Sequence, residues 1–126
     1  MQPPSDEEFD ETISRALQSL SEKYTSRMDN VAIVIADEPS KAQRHKLRLR
    51  CNQTLFGLYE GIPLTRRGNN YNWVLPDKIT LFKKPLVAHS KNSQDFYEHV
   101  RHTLWHEMSH HFGLDHDQIH RLDGTK

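Results

Sequence analysis

The spacing of hydrophobic residues predicts a helix near the start of the chain and a strand soon after it. Through residues 9–20, apolar side chains recur three and four positions apart, as on one face of an amphipathic helix. The β-branched run Val31–Ile35 is typical of a short buried strand, and the turn-forming segment Asp37–Ser40 ends it. Residues 1–7 are polar and precede the first periodic position, so we expect a flexible leader there. The apolar helix positions are Phe9, Ile13, Ala16, Leu17 and Leu20.

Two more strands, Thr54–Tyr59 and Lys78–Phe82, are predicted from short apolar runs that turn residues bound. Within the latter, Ile79–Phe82 is either the edge of a cleft or an ordinary paired strand. The segment Lys41–Arg50 carries five lysines or arginines. We interpret it as a solvated loop or sheet edge, with a phosphate-binding patch as the alternative. The chain has 17 basic and 17 acidic residues, so no net charge favours nucleic acid or an anionic membrane as a partner.

A long helix from about Gln94 to Phe112 is predicted near the end of the chain. Asn92 or Ser93 can cap its start, and Gly113 is its natural end because glycine readily adopts the left-handed conformation. One stripe of this helix is apolar, and a second stripe on roughly the opposite side is rich in histidine. This pattern suits a helix whose apolar side packs on a core and whose histidine side forms the floor of a cleft. The apolar stripe is Tyr97, Val100, Leu104, Met108 and Phe112, and the second is His99, His102, His106 and His110.

The end of this helix carries a metal-binding pattern. Residues 106–116 fit H-E-x-x-H-x-x-G-x-x-H at every fixed position. His106 and His110 are four residues apart, so they share one helix face and can bind one zinc ion. Glu107 points beside the metal, where it can act as a general base. A turn at Gly113 can bring His116 back as a third ligand.

These residue types predict a hydrolytic zinc centre with one Zn²⁺ per chain. Neutral imidazoles suit zinc, and three protein ligands leave a fourth position for water. Zinc lowers the pKa of such a water toward about 7. Glu107 can then take the proton as the water attacks a carbonyl carbon, and pass it to the leaving amine.

Four blocks of the chain together resemble the small bacterial zincin-like metallopeptidase family, over roughly residues 9–122. They are Asn30–Val34, Gly57–Leu64, Leu75–Phe82 and His106–Gly113. The resemblance implies an α+β fold, a minimal zincin, in which a small mixed β-sheet packs on a long active-site helix and an N-terminal helix is added. It also implies a zinc metallopeptidase. With 126 residues, we expect a single domain spanning 1–126.

The third metal ligand is the least determined part of this centre. Resemblance to thermolysin-like zincins would place it at a glutamate well beyond the second histidine, yet no glutamate follows Glu107. His116 stands where the metzincin pattern places its third histidine. Members of the small zincin-like family commonly carry aspartate at this position, and either residue can bind zinc. The competing ligands are Asp115, Asp117, His120 and Asp123.

Two other functions compete with a peptidase. The spacing of His106, His110 and His116 also resembles the metal motif of endoribonucleases of the rRNA-maturation type, which carry a small residue where Glu107 stands here. A zinc-binding protein with little or no catalytic turnover is the other alternative. True metzincins have a methionine turn beneath the metal, whereas no methionine follows Met108. We therefore expect a cleft that is shallow on that side.

The remaining composition indicates where and with what the protein acts. It has no basic, apolar signal segment and no run of the ~20 apolar residues that a membrane span needs. The single cysteine, Cys51, excludes an intrachain disulfide and suits a reducing compartment. We therefore expect a cytoplasmic protein that acts on a peptide or protein, without membrane association; nucleic acid is not favoured, and the oligomeric state is left open.

Overall fold

The computed structural model describes residues 1–28, 30–50, 56–61 and 77–121, without the side chains of residues 46–50, 116 and 120. Cys51, the first residues of the predicted strand Thr54–Tyr59, and Asp123 lie outside the described residues. The described chain contains helices together with a small mixed sheet, which confirms the α+β class. The elements are α1 (Asp6–Ser19), α2 (Glu22–Thr25), β1 (Val31–Ala36), α3 (Lys41–Arg50), β2 (Gly57–Glu60), β3 (Asp77–Phe82), α4 (Lys83–Ala88), α5 (Ser93–His111) and α6 (His116–Arg121).

The described sheet has three strands in the order β1-β3-β2. The central strand β3 runs parallel to β1 and antiparallel to β2, and Ile79 lies beside both Ile33 and Tyr59. The interpretation of Ile79–Phe82 as a cleft edge is therefore wrong, since this segment is paired on both sides. In the described sheet β1 and β2 form the two edges.

Helices α1 and α5 pack together beside this sheet and form most of the core. Phe9, Ile13 and Ala16 of α1 are buried, as their helical spacing predicts. The rings of Phe9 and Phe96 meet edge to face with centroids 5.2 Å apart. Burial of such large apolar side chains contributes about 1.5–3 kcal/mol each, so this helix pair supports the sheet on which the candidate site depends.

Helix α1 begins at Asp6, inside the segment that was predicted as a leader. The reason is a capping box: the Ser5 hydroxyl accepts a hydrogen bond from the Glu8 backbone N–H, and the Glu8 carboxylate accepts one from the Ser5 N–H. The backbone N–H of Ser5 and its hydroxyl group hold the pKa of Glu8 below its ordinary value.

The basic segment Lys41–Arg50 forms helix α3, so the prediction of a loop or sheet edge is wrong. Its start is another capping box, in which the Ser40 hydroxyl accepts from the Gln43 N–H at 3.1 Å and the Gln43 side chain accepts from the Ser40 N–H at 3.0 Å. Gln43 also donates to the Glu60 carboxylate at 3.2 Å, which ties α3 to the end of β2. Among the described residues, no helix has the length and apolar character to cross a membrane.

Candidate metal centre

Helix α5 positions the motif residues, and its bounds agree with the prediction to within one residue at each end. Asn92 caps it, accepting a hydrogen bond from the Asp95 N–H at 2.9 Å. Val100, Leu104 and Met108 of the predicted apolar stripe are all fully buried in the core. This packing fixes the rotation of the helix about its axis, and therefore the direction in which the motif side chains point.

Three motif residues come together on α5. One ligand atom each from His106, Glu107 and His110 can be chosen so that all three atoms lie within 4.8 Å of one another. The two imidazole rings have centroids 5.0 Å apart and are inclined at 76°. His106 and Glu107 are buried, whereas His110 is half-buried. The group is thus largely withdrawn from water and opens to solvent on the His110 side.

The Glu107 carboxylate is held by hydrogen bonds at both oxygens. Its Oε1 accepts from the backbone N–H of Tyr59 at 2.9 Å. Its Oε2 lies 2.8 Å from Nδ1 of His106, which donates when that nitrogen carries the proton. A carboxylate engaged in this way suits a role beside a metal, because its orientation is set by groups other than the ion.

Strand β2 reaches Glu107 because Gly57 lets it lie very close to α5. A Cβ atom at position 57 would come within 2.7 Å of the Thr103 methyl carbon and 3.1 Å of the Thr80 carbonyl oxygen. Glu107 borders the same narrow contact, with its Cγ 3.4 Å from that Cβ position. The missing side chain therefore permits the contact between β2 and the carboxylate.

We expect Gly57→Ala to destabilise the fold by about 1–3 kcal/mol in urea unfolding, because the new methyl group overpacks the interface between β2 and α5. Thr103→Ser removes the nearest methyl group and is the matched partner. In the double variant, part of the penalty should be recovered relative to the sum of the single changes. A fully additive double variant would contradict this account of the close approach.

Helix α5 ends in a Schellman motif that turns the chain back. Gly113 has a φ of 73°, in the left-handed region, so it is the stop that the sequence predicts. The Leu114 N–H donates to the Ser109 carbonyl at 3.0 Å and the Gly113 N–H to the His110 carbonyl at 3.1 Å. Helix α6 follows with His116 as its first residue, and the His116 side chain lies outside what the structure describes.

Helix α6 is held by hydrogen bonds at its first turn and by a contact with α5. Asp115 accepts from the Gln118 N–H at 2.8 Å, and the Gln118 side chain accepts from the Asp115 N–H at 2.9 Å. The Trp105 indole N–H donates to the Ile119 carbonyl at 3.2 Å, and Ile119 is buried. Because Asp115 caps α6, its carboxylate is committed to the helix, which weakens it as a competitor of His116.

A buried polar network at the C-terminal end of α5 was not predicted. The Tyr59 hydroxyl donates to Oδ2 of Asp77 at 2.5 Å, and Nδ1 of His111 lies 2.7 Å from the same oxygen. All three side chains are at most 2% exposed. His111 is therefore a buried packing residue whose polar tip has a partner. The signal that could have revealed the network is the presence of Tyr59 and Asp77 in two of the blocks that carry the family resemblance.

The chain was compared with known proteins. A model of the zincin-like metallopeptidase family matches residues 28–125. No curated protein shows significant sequence similarity to the chain. The fold is similar to the solved structure of a conserved hypothetical protein from Thermo thermophilus, with a TM-score of 0.55 and 18% sequence identity over 86% of this chain and 94% of that one.

Proposed function

Because the chain belongs to the zincin-like metallopeptidase family, we propose that it is a zinc-dependent peptidase with Glu107 as its general base. In this proposal His106, His110 and His116 are the protein ligands of one zinc ion. The observation that carries it is the close group of two imidazoles and a carboxylate on α5, with ligand atoms within 4.8 Å of one another. The expected substrate is a peptide or protein.

The donor set fits the metal that the family implies. Around a tetrahedral zinc with bonds of about 2.0–2.1 Å, ligand atoms lie about 3.4 Å apart, so modest side-chain rotations would bring His106 and His110 into position. Nδ1 of His106 is 2.8 Å from the Glu107 carboxylate, which makes Nε2 its ligand atom. A ligating histidine commonly donates its other ring N–H to a carboxylate in this manner.

The residues of this chain have separable tasks in the proposed reaction. When bound, zinc would activate a water molecule and polarise the carbonyl oxygen of the scissile peptide bond. Glu107 would accept the proton of that water and later deliver it to the leaving amine nitrogen. Each carboxylate oxygen has two lone pairs, so the bonds from Tyr59 and His106 leave capacity to accept this proton. The burial of Glu107 would strengthen its interaction with the polarised water.

A peptide library tests the proposal directly. The purified protein should contain about one zinc per chain and cleave peptides, with activity lost on chelation and regained with zinc. A zinc-loaded protein that cleaves no peptide would favour the zinc-binding alternative. Zinc-dependent cleavage of RNA without cleavage of peptides would favour the endoribonuclease, for which the basic helix α3 (Lys41–Arg50) would supply phosphate contacts.

The third ligand has its own test. His116→Ala should weaken zinc binding by about 100-fold or more, since loss of a ligand costs at least as much as loss of a group that supports one. Affinity is measured by competition with a chromophoric chelator, and His45→Ala, which removes an exposed histidine of α3 outside the motif, is the control. If His116→Ala binds zinc like the wild type, the third ligand lies elsewhere, and Asp115→Ala, Asp117→Ala, His120→Ala and Asp123→Ala would identify it.

A further inference from the structure

Tyr59 contacts both the candidate general base and the buried network. Its backbone N–H donates to Oε1 of Glu107 at 2.9 Å, and its hydroxyl donates to Oδ2 of Asp77 at 2.5 Å. Asp77 also lies 2.7 Å from Nδ1 of His111, at the C-terminal end of α5. One residue of β2 therefore connects the Glu107 carboxylate to the C-terminal end of the same helix.

The antiparallel ladder explains why the Tyr59 N–H faces Glu107. The Phe82 N–H donates to the Phe56 carbonyl, so Phe56 and Phe82 form a hydrogen-bonded pair of β2 and β3. Such pairs alternate along antiparallel strands, and Leu58 opposite Thr80 is the next one. Tyr59, one residue further along, consequently directs its backbone N–H away from β3 and toward α5.

We propose that Tyr59 is a positioning residue for Glu107, and that its hydroxyl bond to Asp77 holds β2 where the Tyr59 N–H can orient the carboxylate. The consequence for catalysis rests on the proposed peptidase function; the positioning itself does not. The bond is desolvated, because Tyr59 and Asp77 are 2% and 1% exposed. A hydrogen bond to a buried carboxylate is strong and short, so it resists sliding or lifting of the strand.

Within the described residues, Tyr59 is the large side chain that β2 directs toward α5, and Phe56, just before the strand, also stacks on His99 of that helix. The strand is only four residues long and forms an edge of the described sheet. Gly57 contributes no side chain to the contact with α5. The Tyr59 ring is therefore the main side chain that β2 inserts between β3 and α5, and its hydroxyl group is the part that fixes the depth of insertion.

Hydrogen exchange at the residue-59 amide tests the positioning, and it can be read in metal-free protein by NMR. Tyr59→Phe keeps the ring and removes only the hydroxyl group. We expect exchange at residue 59 to accelerate about tenfold or more, while the Leu81 amide of the central strand changes by less than about twofold. Glu107→Ala should accelerate the same amide, because it removes the acceptor. Tyr24→Phe, in a ring that packs against Trp105 outside the network, is the matched control and should leave residue 59 unchanged.

Kinetics then separate positioning from general stability. In the zinc-loaded peptidase, Tyr59→Phe should lower kcat by about tenfold while KM and zinc affinity stay within about twofold. In a Glu107→Gln background the same change should cause no further loss, since a residue that acts through Glu107 has no effect once Glu107 cannot accept a proton. If Tyr59→Phe lowered kcat by the same factor in the wild type and in the Glu107→Gln variant, its role would be purely structural and the inference would be overturned.

The outcomes distinguish this inference from the proposed function. Unchanged exchange at residue 59 in Tyr59→Phe overturns the positioning, whether or not the protein cleaves peptides. Accelerated exchange in a protein that cleaves no peptide sustains the positioning and removes the peptidase. If Tyr59→Phe does not fold, Asp77→Asn is measured instead, because it keeps an oxygen acceptor for the Tyr59 hydroxyl. We then expect a smaller acceleration of exchange at residue 59. An exchange rate that does not change would overturn the inference.

Discussion

Glu107→Gln is expected to lower kcat for peptide hydrolysis by about 10²–10⁴-fold, the usual contribution of a general base, while the protein retains its zinc. Glutamine has nearly the same shape as glutamate, and its carbonyl oxygen can still accept the Tyr59 N–H that Oε1 of Glu107 accepts at 2.9 Å. What it cannot do is accept and return a proton near neutral pH. The amide NH₂ cannot accept from Nδ1–H of His106, which lies 2.8 Å from Oε2, but both histidine ligands are kept, so with zinc in excess the zinc content should stay at the wild-type level in metal analysis.

A second glutamate on the same helix provides the control. Glu98 is exposed near the start of α5, where its carboxylate accepts a hydrogen bond from the Gln94 side chain at 3.0 Å. Glu98→Gln removes the same charge from the same helix, so any general effect of charge on substrate attraction would appear in both variants. We expect Glu98→Gln to cleave peptides at the wild-type rate. Equal activities for the two variants would exclude Glu107 as the base.

The metal group could be predicted because its information is local. His106, Glu107 and His110 lie within one and a half turns of a helix, and a helix fixes which side chains share a face whatever surrounds it. The left-handed stop at Gly113 is equally local, since few other residues adopt positive φ readily. The short β-branched run Val31–Ile35 was likewise enough to predict strand β1.

Two of the helices that were missed, α3 and α6, begin with capping boxes, which a search for hydrophobic periodicity does not detect. Ser40 and Gln43 form the capping box of α3, and Asp115 and Gln118 that of α6, each with the cap and the capping side chain three residues apart. The basic run Lys41–Arg50 has too few apolar positions to show a stripe. Its charge was therefore interpreted as a solvated loop although its cap indicates a helix.

The buried network was missed for a different reason. Asp77 and His111 are 34 residues apart, and Tyr59 lies 52 residues before His111. The pairing of β2 with β3 and the packing of α5 against both strands bring them together. No local pattern distinguishes a tyrosine that packs in a core from one whose hydroxyl group binds a buried carboxylate.

Asp77→Ala is expected to have the largest effect on stability, about 3–5 kcal/mol in urea unfolding. It removes the shared acceptor of a buried polar network and leaves the other two members without a hydrogen-bond partner. The Tyr59 hydroxyl and Nδ1 of His111 both use Oδ2 of Asp77, and both side chains are at most 2% exposed, so water cannot replace the lost acceptor. A domain with a total stability of about 5–15 kcal/mol would lose a large share of it.

Two further variants show whether the network or the charge is responsible. Asp77→Asn keeps an oxygen that can accept from the Tyr59 hydroxyl, so it should cost less than Asp77→Ala. Asp10→Ala removes an exposed carboxylate from α1 and should change stability by no more than about 0.5 kcal/mol. If Asp77→Ala cost less than about 1 kcal/mol, the buried donors would have found other partners, and the network could not be what fixes β2 against the motif helix.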